Sequence, residues 1–234
     1  MGDYVPGIQE RLRHKGFPKF VMRRTQEIVL APKPVFGTHE RWLFSNKEST
    51  QTVVLASDFI VLVASVYSVF EEFVETLKSI LAVVGEAAQV ALSDRLGLRY
   101  VDVVRLAKGE SYRDYLQDGL HGLDAAKLDA SSVLLQSQVK ADTSMGTLLV
   151  RLWQSQDGRF LPPDLEAEDV AFQIQPQPGE LLTVLDIDHF SVNEREFNPD
   201  QLVPELWRLH DGTDRAFRAV VTPEALTRWG AEPR

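Results

Sequence analysis

No cysteine occurs among the 234 residues. That absence excludes a disulfide framework, a thiolate zinc site and a cysteine nucleophile, and it fits a reducing compartment. Long apolar runs are missing as well. The longest, Phe59–Val66 (FIVLVASV), is far short of the ~18 residues a membrane-spanning helix needs. The opening MGDYVPGIQERLRHKGF lacks the apolar segment of a secretion signal, so a soluble, cytoplasmic protein is expected. Phosphate-cradling glycine loops, HExxH, GxSxG and EF-hand loops are absent from the chain. So are the aromatic pairs on which RNA bases stack. The five histidines (His14, His39, His121, His189, His210) are scattered and never spaced at i, i+4.

What is present has the composition of an ordinary globular protein: 44% hydrophobic and 25% charged residues, with 14 Gly and 12 Pro. The length allows one large domain or two small ones. The formal charge is −9, yet residues 11–24 (RLRHKGFPKFVMRR) carry six basic residues and no acid, so the remainder carries −15. An acidic body repels phosphate backbones, which argues against nucleic acid as the main partner. The short basic run reads as a solvated face near a terminus or as an anion contact through Arg11, Arg13, Lys15, Lys19, Arg23 and Arg24.

Periodicity sets out the elements. Gly7–Lys15 is consistent with a short helix carrying Ile8 and Leu12 on one face. Gln26–Leu30 and Arg41–Ser45 (RWLFS) have strand character on either side of the breakers at Pro32–Gly37. Gln51–Ala56 and Asp58–Ser65 are apolar runs that pair or form one irregular strand. Ser68-Val69-Phe70-Glu71 has the form of a capping box. It opens the clearest helix, with Val69, Phe70, Phe73, Leu77, Ile80, Leu81 and Val84 at helical spacing and Glu71, Glu72, Glu75 and Lys78 opposite. Leu92–Leu106 is a strand, followed by a polar stretch with a short helix at Tyr112–Asp118. Strands are expected at Val133–Val139, Thr147–Trp153 and Leu181–Val192, with a turn at Asp157-Gly158 and a proline-rich loop over Leu161–Gly179. Asn198-Pro199 starts a long helix whose beginning Pro204 can displace, and Thr222-Pro223-Glu224 caps a last short one. The order strand, strand, long helix occurs twice. It predicts an α+β fold with a mainly antiparallel sheet, helices on one face, and two degenerate ββα halves, 1–125 and 126–234, packed as one unit.

Several segments follow one another in a familiar order: Arg41-Trp42-Leu43-Phe44, Tyr67 with Phe70-Glu71-Glu72-Phe73, Gly97-Leu98-Arg99-Tyr100, Leu185-Asp186-Ile187-Asp188, and Leu209-His210 with Ala216-Phe217. In this combination, over residues 6–229, the chain resembles a sporadically distributed bacterial family of uncharacterised proteins of about 250 residues. Two departures stand out. Asp102 occupies a position where that family usually has Asn, and members begin with an extra apolar strand that precedes the segment matching Pro6–Phe17. The resemblance implies no activity, cofactor or catalytic residue.

The chemically richest segment is Leu185–His189. On a strand, Asp186 and Asp188 share one face about 7 Å apart, while His189 points away with Leu185 and Ile187. Two carboxylates on one face suit a divalent cation, or they line a solvent face, or they pair with an arginine such as Arg99. His210 lies beside the apolar stripe of Leu206, Leu209 and Phe217, as a hydrogen-bonded rim residue or as a proton carrier. The expectation is a non-enzymatic binding or regulatory protein with a protein partner, open to self-association and needing no cofactor. An accessory role in defence, or in neutralising a basic toxin, fits the acidic body. The alternative is a metal-dependent hydrolase with Asp186 and Asp188 as ligands and His210 as proton carrier.

Overall fold

The architecture comes from a computed structural model that describes residues 1–29, 35–66, 68–107, 109–123, 134–155, 177 and 179–230, with the backbone course alone at 26–29 and 35–38. Pro32, Tyr67, Asp157-Gly158 and the prolines at 162, 163 and 176 lie outside the described residues. The described residues form two four-stranded antiparallel sheets accompanied by helices, an α+β fold. The chain divides into two units: residues 1–92 with 196–203, and residues 93 onward with the rest of the C-terminal helices.

In the first unit, α1 (Val5–His14) precedes strands β1 (Lys19–Val29), β2 (Val35–Ser45), β3 (Gln51–Leu55) and β4 (Ile60–Ala64), which pair in chain order as a meander. The two apolar runs after residue 50 are thus separate, paired strands, Val53 facing Leu62 and Leu55 facing Ile60. α2 (Phe70–Ala88) follows. Alternation on β2 and β3 points Trp42, Phe44, Val53 and Leu55 at one face, where they pack with Ile8 and Leu12 of α1 and Ile80, Val83 and Val84 of α2. At roughly 1.5–3 kcal/mol per fully buried aliphatic or phenyl side chain, this cluster is the main stabilising element of the unit.

Three local expectations change. The basic run becomes the end of α1 and the start of β1, which begins at Lys19 rather than at Gln26. The capping box does not form. Val69 is the N-cap of α2 and makes no side-chain cap bond, while the Ser68 hydroxyl donates to Glu72. The third change is at the N-terminal helix, which starts at Val5 with Pro6 in its first turn, where a missing N–H costs nothing.

The second unit holds nearly all of β5 (Leu92–Arg105) and β8 (Leu182–Glu196), with β6 (Leu135–Thr143), β7 (Gly146–Ser155), the part of α3 (Pro199–Val220) from Pro204 on, and α4 (Pro223–Arg228). Its strand order is β5-β8-β7-β6. The GLRY strand therefore pairs with β8 and belongs mostly to the second unit, not to the 1–125 half. Val104, Val150, Leu152, Leu185 and Ile187 form its core with Ala216 and Leu226 of the helices and Val221 of the link between them. Asn198 Oδ1 accepts the Asp200 N–H at 3.0 Å, so α3 opens at Pro199 and carries Pro204 inside it. Thr222 Oγ1 accepts the Ala225 N–H at 3.1 Å and caps α4. In place of one short helix at 112–118 there are two single-turn 3-10 segments, Tyr112–Asp114 and Asp118–Leu120. No described helix is long and apolar enough to cross a membrane.

Candidate functional site

β8 is the central organiser of the second sheet, with β7 on one side and β5 on the other. Its residues alternate. Leu185 and Ile187 enter the core beneath the helices. Asp186 and Asp188 take the other face, where Asp186 stands opposite Arg151 and Asp188 opposite Leu149 on β7. Both acids are withdrawn from solvent, Asp186 at 0% and Asp188 at 8% exposure.

Burying a carboxylate costs several kcal/mol unless charge and hydrogen bonds offset it. Asp186 is compensated from two sides. Arg99 of β5 donates from Nε to Oδ1 at 2.7 Å and from its terminal nitrogen Nη2 to Oδ2 at 2.8 Å, the two-pronged geometry that guanidinium and carboxylate share. Arg151 adds a bond from Nη1 to Oδ2 at 2.9 Å and donates from Nε to Gln138 on β6 at 3.0 Å. One acid thereby ties together neighbouring strands on both sides of β8.

Asp188 is held differently. The Arg95 guanidinium lies 3.6 Å from its carboxylate and also over the Phe190 ring, 4.5 Å from its centroid. Burial pushes the Asp188 carboxyl above the ordinary aspartate value, and neighbouring Asp186 adds to this, while Arg95, Arg99 and Arg151 pull it back. Three guanidinium groups therefore face two carboxylates on this patch. A divalent cation placed there would meet net positive charge, and the Asp186 oxygens it would use already accept three N–H bonds. No group of three or more metal-ligating side chains occurs among the described residues.

His210 does not join these acids. Arg99 and Tyr100 are successive residues on β5 and point to opposite faces; Arg99 meets Asp186, and Tyr100 hydrogen-bonds through its hydroxyl to His210 Nδ1 at 3.1 Å. The Trp207 and His210 rings also pack nearly perpendicular to each other, with centroids 5.8 Å apart. Asp102, two residues after Tyr100 and on the same face, is pushed up by burial to about 6. His189, fully on the core face, has its Nδ1 3.1 Å from the Leu209 carbonyl oxygen and its Nε2 2.9 Å from Thr143 Oγ1. The carbonyl can only accept, so Nδ1 carries a proton. Gly212 lets α3 approach this ring so closely that a Cβ there would stand 2.4 Å from it.

The basic run is dispersed. Arg11 pairs with Glu86 at 2.9 Å, Arg13 with Glu10, and Arg24 with Glu40 at 2.8 Å, and these three, Lys15 and Arg23 all lie at the exposed surface. Arg151 and Arg95 escaped the sequence reading. A lone arginine inside the apolar LLVRLW is itself a signal, because a strand buried on that scale must supply its charge with a partner. Asp102 gave no such cue.

No family model, curated protein or solved structure matches this chain.

Proposed function

We propose that the protein is a non-enzymatic binding or regulatory protein of bacterial origin, soluble and cytoplasmic, which acts on a protein partner and belongs with the sporadically distributed family its motifs resemble. The observation that carries this reading is the saturation of Asp186. The most chemical-looking segment of the chain spends its acid on Arg99 and Arg151, and the other titratable pair, Tyr100 with His210, lies on the opposite face of the sheet. Neither set leaves a nucleophile, base and open coordination position together. Sporadic occurrence in the family it resembles suits an accessory role, such as defence or the neutralisation of a toxin.

A thermal-shift comparison tests this against the hydrolase alternative. Wild type and Asp188→Ala are melted with and without Mg²⁺ or Mn²⁺. The binding-protein reading expects no metal-dependent rise in either protein. A rise of several degrees in wild type that vanishes in the variant would refute it and assign Asp188 to a metal centre.

A further inference from the structure

A hydroxyl has one proton to give, and that of Thr143 has two acceptors within reach. Thr143 ends β6, Ser144-Met145 make the turn, and Gly146 stands opposite Thr143 at the start of β7. Thr143 Oγ1 accepts the Met145 N–H at 3.1 Å. The same oxygen lies 3.0 Å from the Gly146 carbonyl oxygen and 2.9 Å from Nε2 of His189. The carbonyl only accepts, whereas Nε2 accepts when the imidazole is neutral and donates when it is charged.

The far side of the ring removes the remaining freedom. Nδ1 donates to the Leu209 carbonyl, so a neutral His189 carries its single proton there and has a bare Nε2. Gly212 and the ring stand so close that the imidazole has no room to turn away from α3. His189 is only 1% exposed, and a buried acceptor without a donor is costly. Thr143 must therefore give its proton to Nε2 while the ring is neutral. When the ring is charged, Nε2–H and the Met145 N–H occupy both lone pairs of Oγ1, and the hydroxyl proton is left for the Gly146 carbonyl. Both ring nitrogens are thus satisfied in either state.

The surrounding charges leave this exchange to Thr143. The titratable groups on the same face of the sheet are Tyr100 and Asp102 of β5 and His210 of α3, and Tyr100 bonds to His210. Arg208 and Asp211 of α3 and Asp142 of β6 are exposed, β7 sets Leu148 opposite His189, and Asp188 takes the other face of β8. The turn itself lies against β8 and α3. A Cβ on Gly146 would stand 2.2 Å from the Phe190 carbonyl oxygen, and Arg208 Nη1 reaches the Met145 sulfur at 3.9 Å.

We propose that His189 and Thr143 form a pH-sensitive switch in the turn between β6 and β7: neutral His189 holds the Thr143 hydroxyl on Nε2, and protonated His189 sends it to the Gly146 carbonyl. At higher pH the hydroxyl ties the turn to β8. On acidification it ties the two ends of the turn to each other. The switch goes beyond the binding-protein reading and needs no partner.

The test is NMR of the ¹⁵N-labelled chain, titrated from about pH 8 to about pH 5, the span in which imidazoles change charge. At the upper end His189 is expected as the Nδ1–H tautomer, and Nε2 gains a proton on acidification. The amide signals of Met145 and Gly146 should move in step with it. Thr143→Val keeps the shape and removes the hydroxyl; His189 should still gain its proton there, while most of the amide movement is lost. Thr143→Ser should bring that movement back. An Nε2–H tautomer at the upper end, a His189 that gains no proton while the chain stays folded, or turn amides that stay still would overturn the switch. These three readings need only wild type, so they decide even where Thr143→Val folds poorly. Amides that move equally in Thr143→Val would overturn it as well.

Discussion

Replacing Asp186 by Asn keeps its volume and removes its charge, and so isolates what the carboxylate contributes. In wild type the acid is inaccessible and accepts three guanidinium bonds from Arg99 and Arg151. Hydrogen bonds to a charged group contribute about 1.5–3 kcal/mol each, and breaking a buried ion pair at one partner costs about 3–5 kcal/mol. The arginine side chains retain 20% exposure each and can turn partly toward water, which places the expected loss near the lower bound, about 3 kcal/mol. With a urea m-value of about 2 kcal/mol/M, the unfolding midpoint falls by about 1.5 M. Urea titration followed by tryptophan fluorescence measures this, with Trp153 on β7 and Trp207 on α3 reporting from the same unit. The penalty comes from uncompensated arginines, so replacing Arg99 and Arg151 by Met in the Asp186→Leu background should restore most of it. A loss below about 1 kcal/mol for Asp186→Asn, or no recovery in the triple apolar variant, would refute the reasoning.

Asp102 gives a prediction of opposite sign. Its folded value of about 6 stands above the ordinary 3.8, so ionisation is penalised only in the folded protein: the penalty is absent below about pH 4, grows as pH rises, and is complete above about pH 6. Asp102→Asn should thus match wild type near pH 4 and exceed it by up to about 3 kcal/mol at pH 7, at about 1.36 kcal/mol per tenfold; a difference that does not change with pH would contradict this. Gly212→Ala should lower stability by about 1–3 kcal/mol through its collision with the pinned His189 ring, read as a fall in melting temperature.

Sequence legibility followed burial and periodicity. α2 and β8 stood out because each buries a regular stripe, Phe70, Val74, Ile80 and Leu81 on one and Leu185 and Ile187 on the other. The first turns of β1 did not, because an edge strand exposed on both faces has no reason to alternate, and Lys19, Arg23 and Arg24 read as a charged loop. Ser68 fitted a capping box by spacing alone, yet its hydroxyl found Glu72 one residue further on. The arginine partner of Asp186 was legible from electrostatics, since a buried charge demands compensation. The contribution of Arg151 depended on the β7–β8 register, which only the folded sheet defines. Assigning the GLRY strand to the wrong half has the same origin: its pairing with β8 leaves no local trace.

That pairing orders the assembly of the molecule in time. The meander β1–β4 is complete by residue 64 and joins only neighbours in the chain, so loop closure exacts little entropy there. Arg99 must wait for an acid 87 residues downstream. During synthesis β5 is an open strand without its ionic partner until β8 has been made, and the second sheet can close only then. Contacts this distant slow folding and lengthen the exposure of unpaired edges. The same salt link that locks the finished sheet therefore cannot form until residue 186 of the nascent chain has been made.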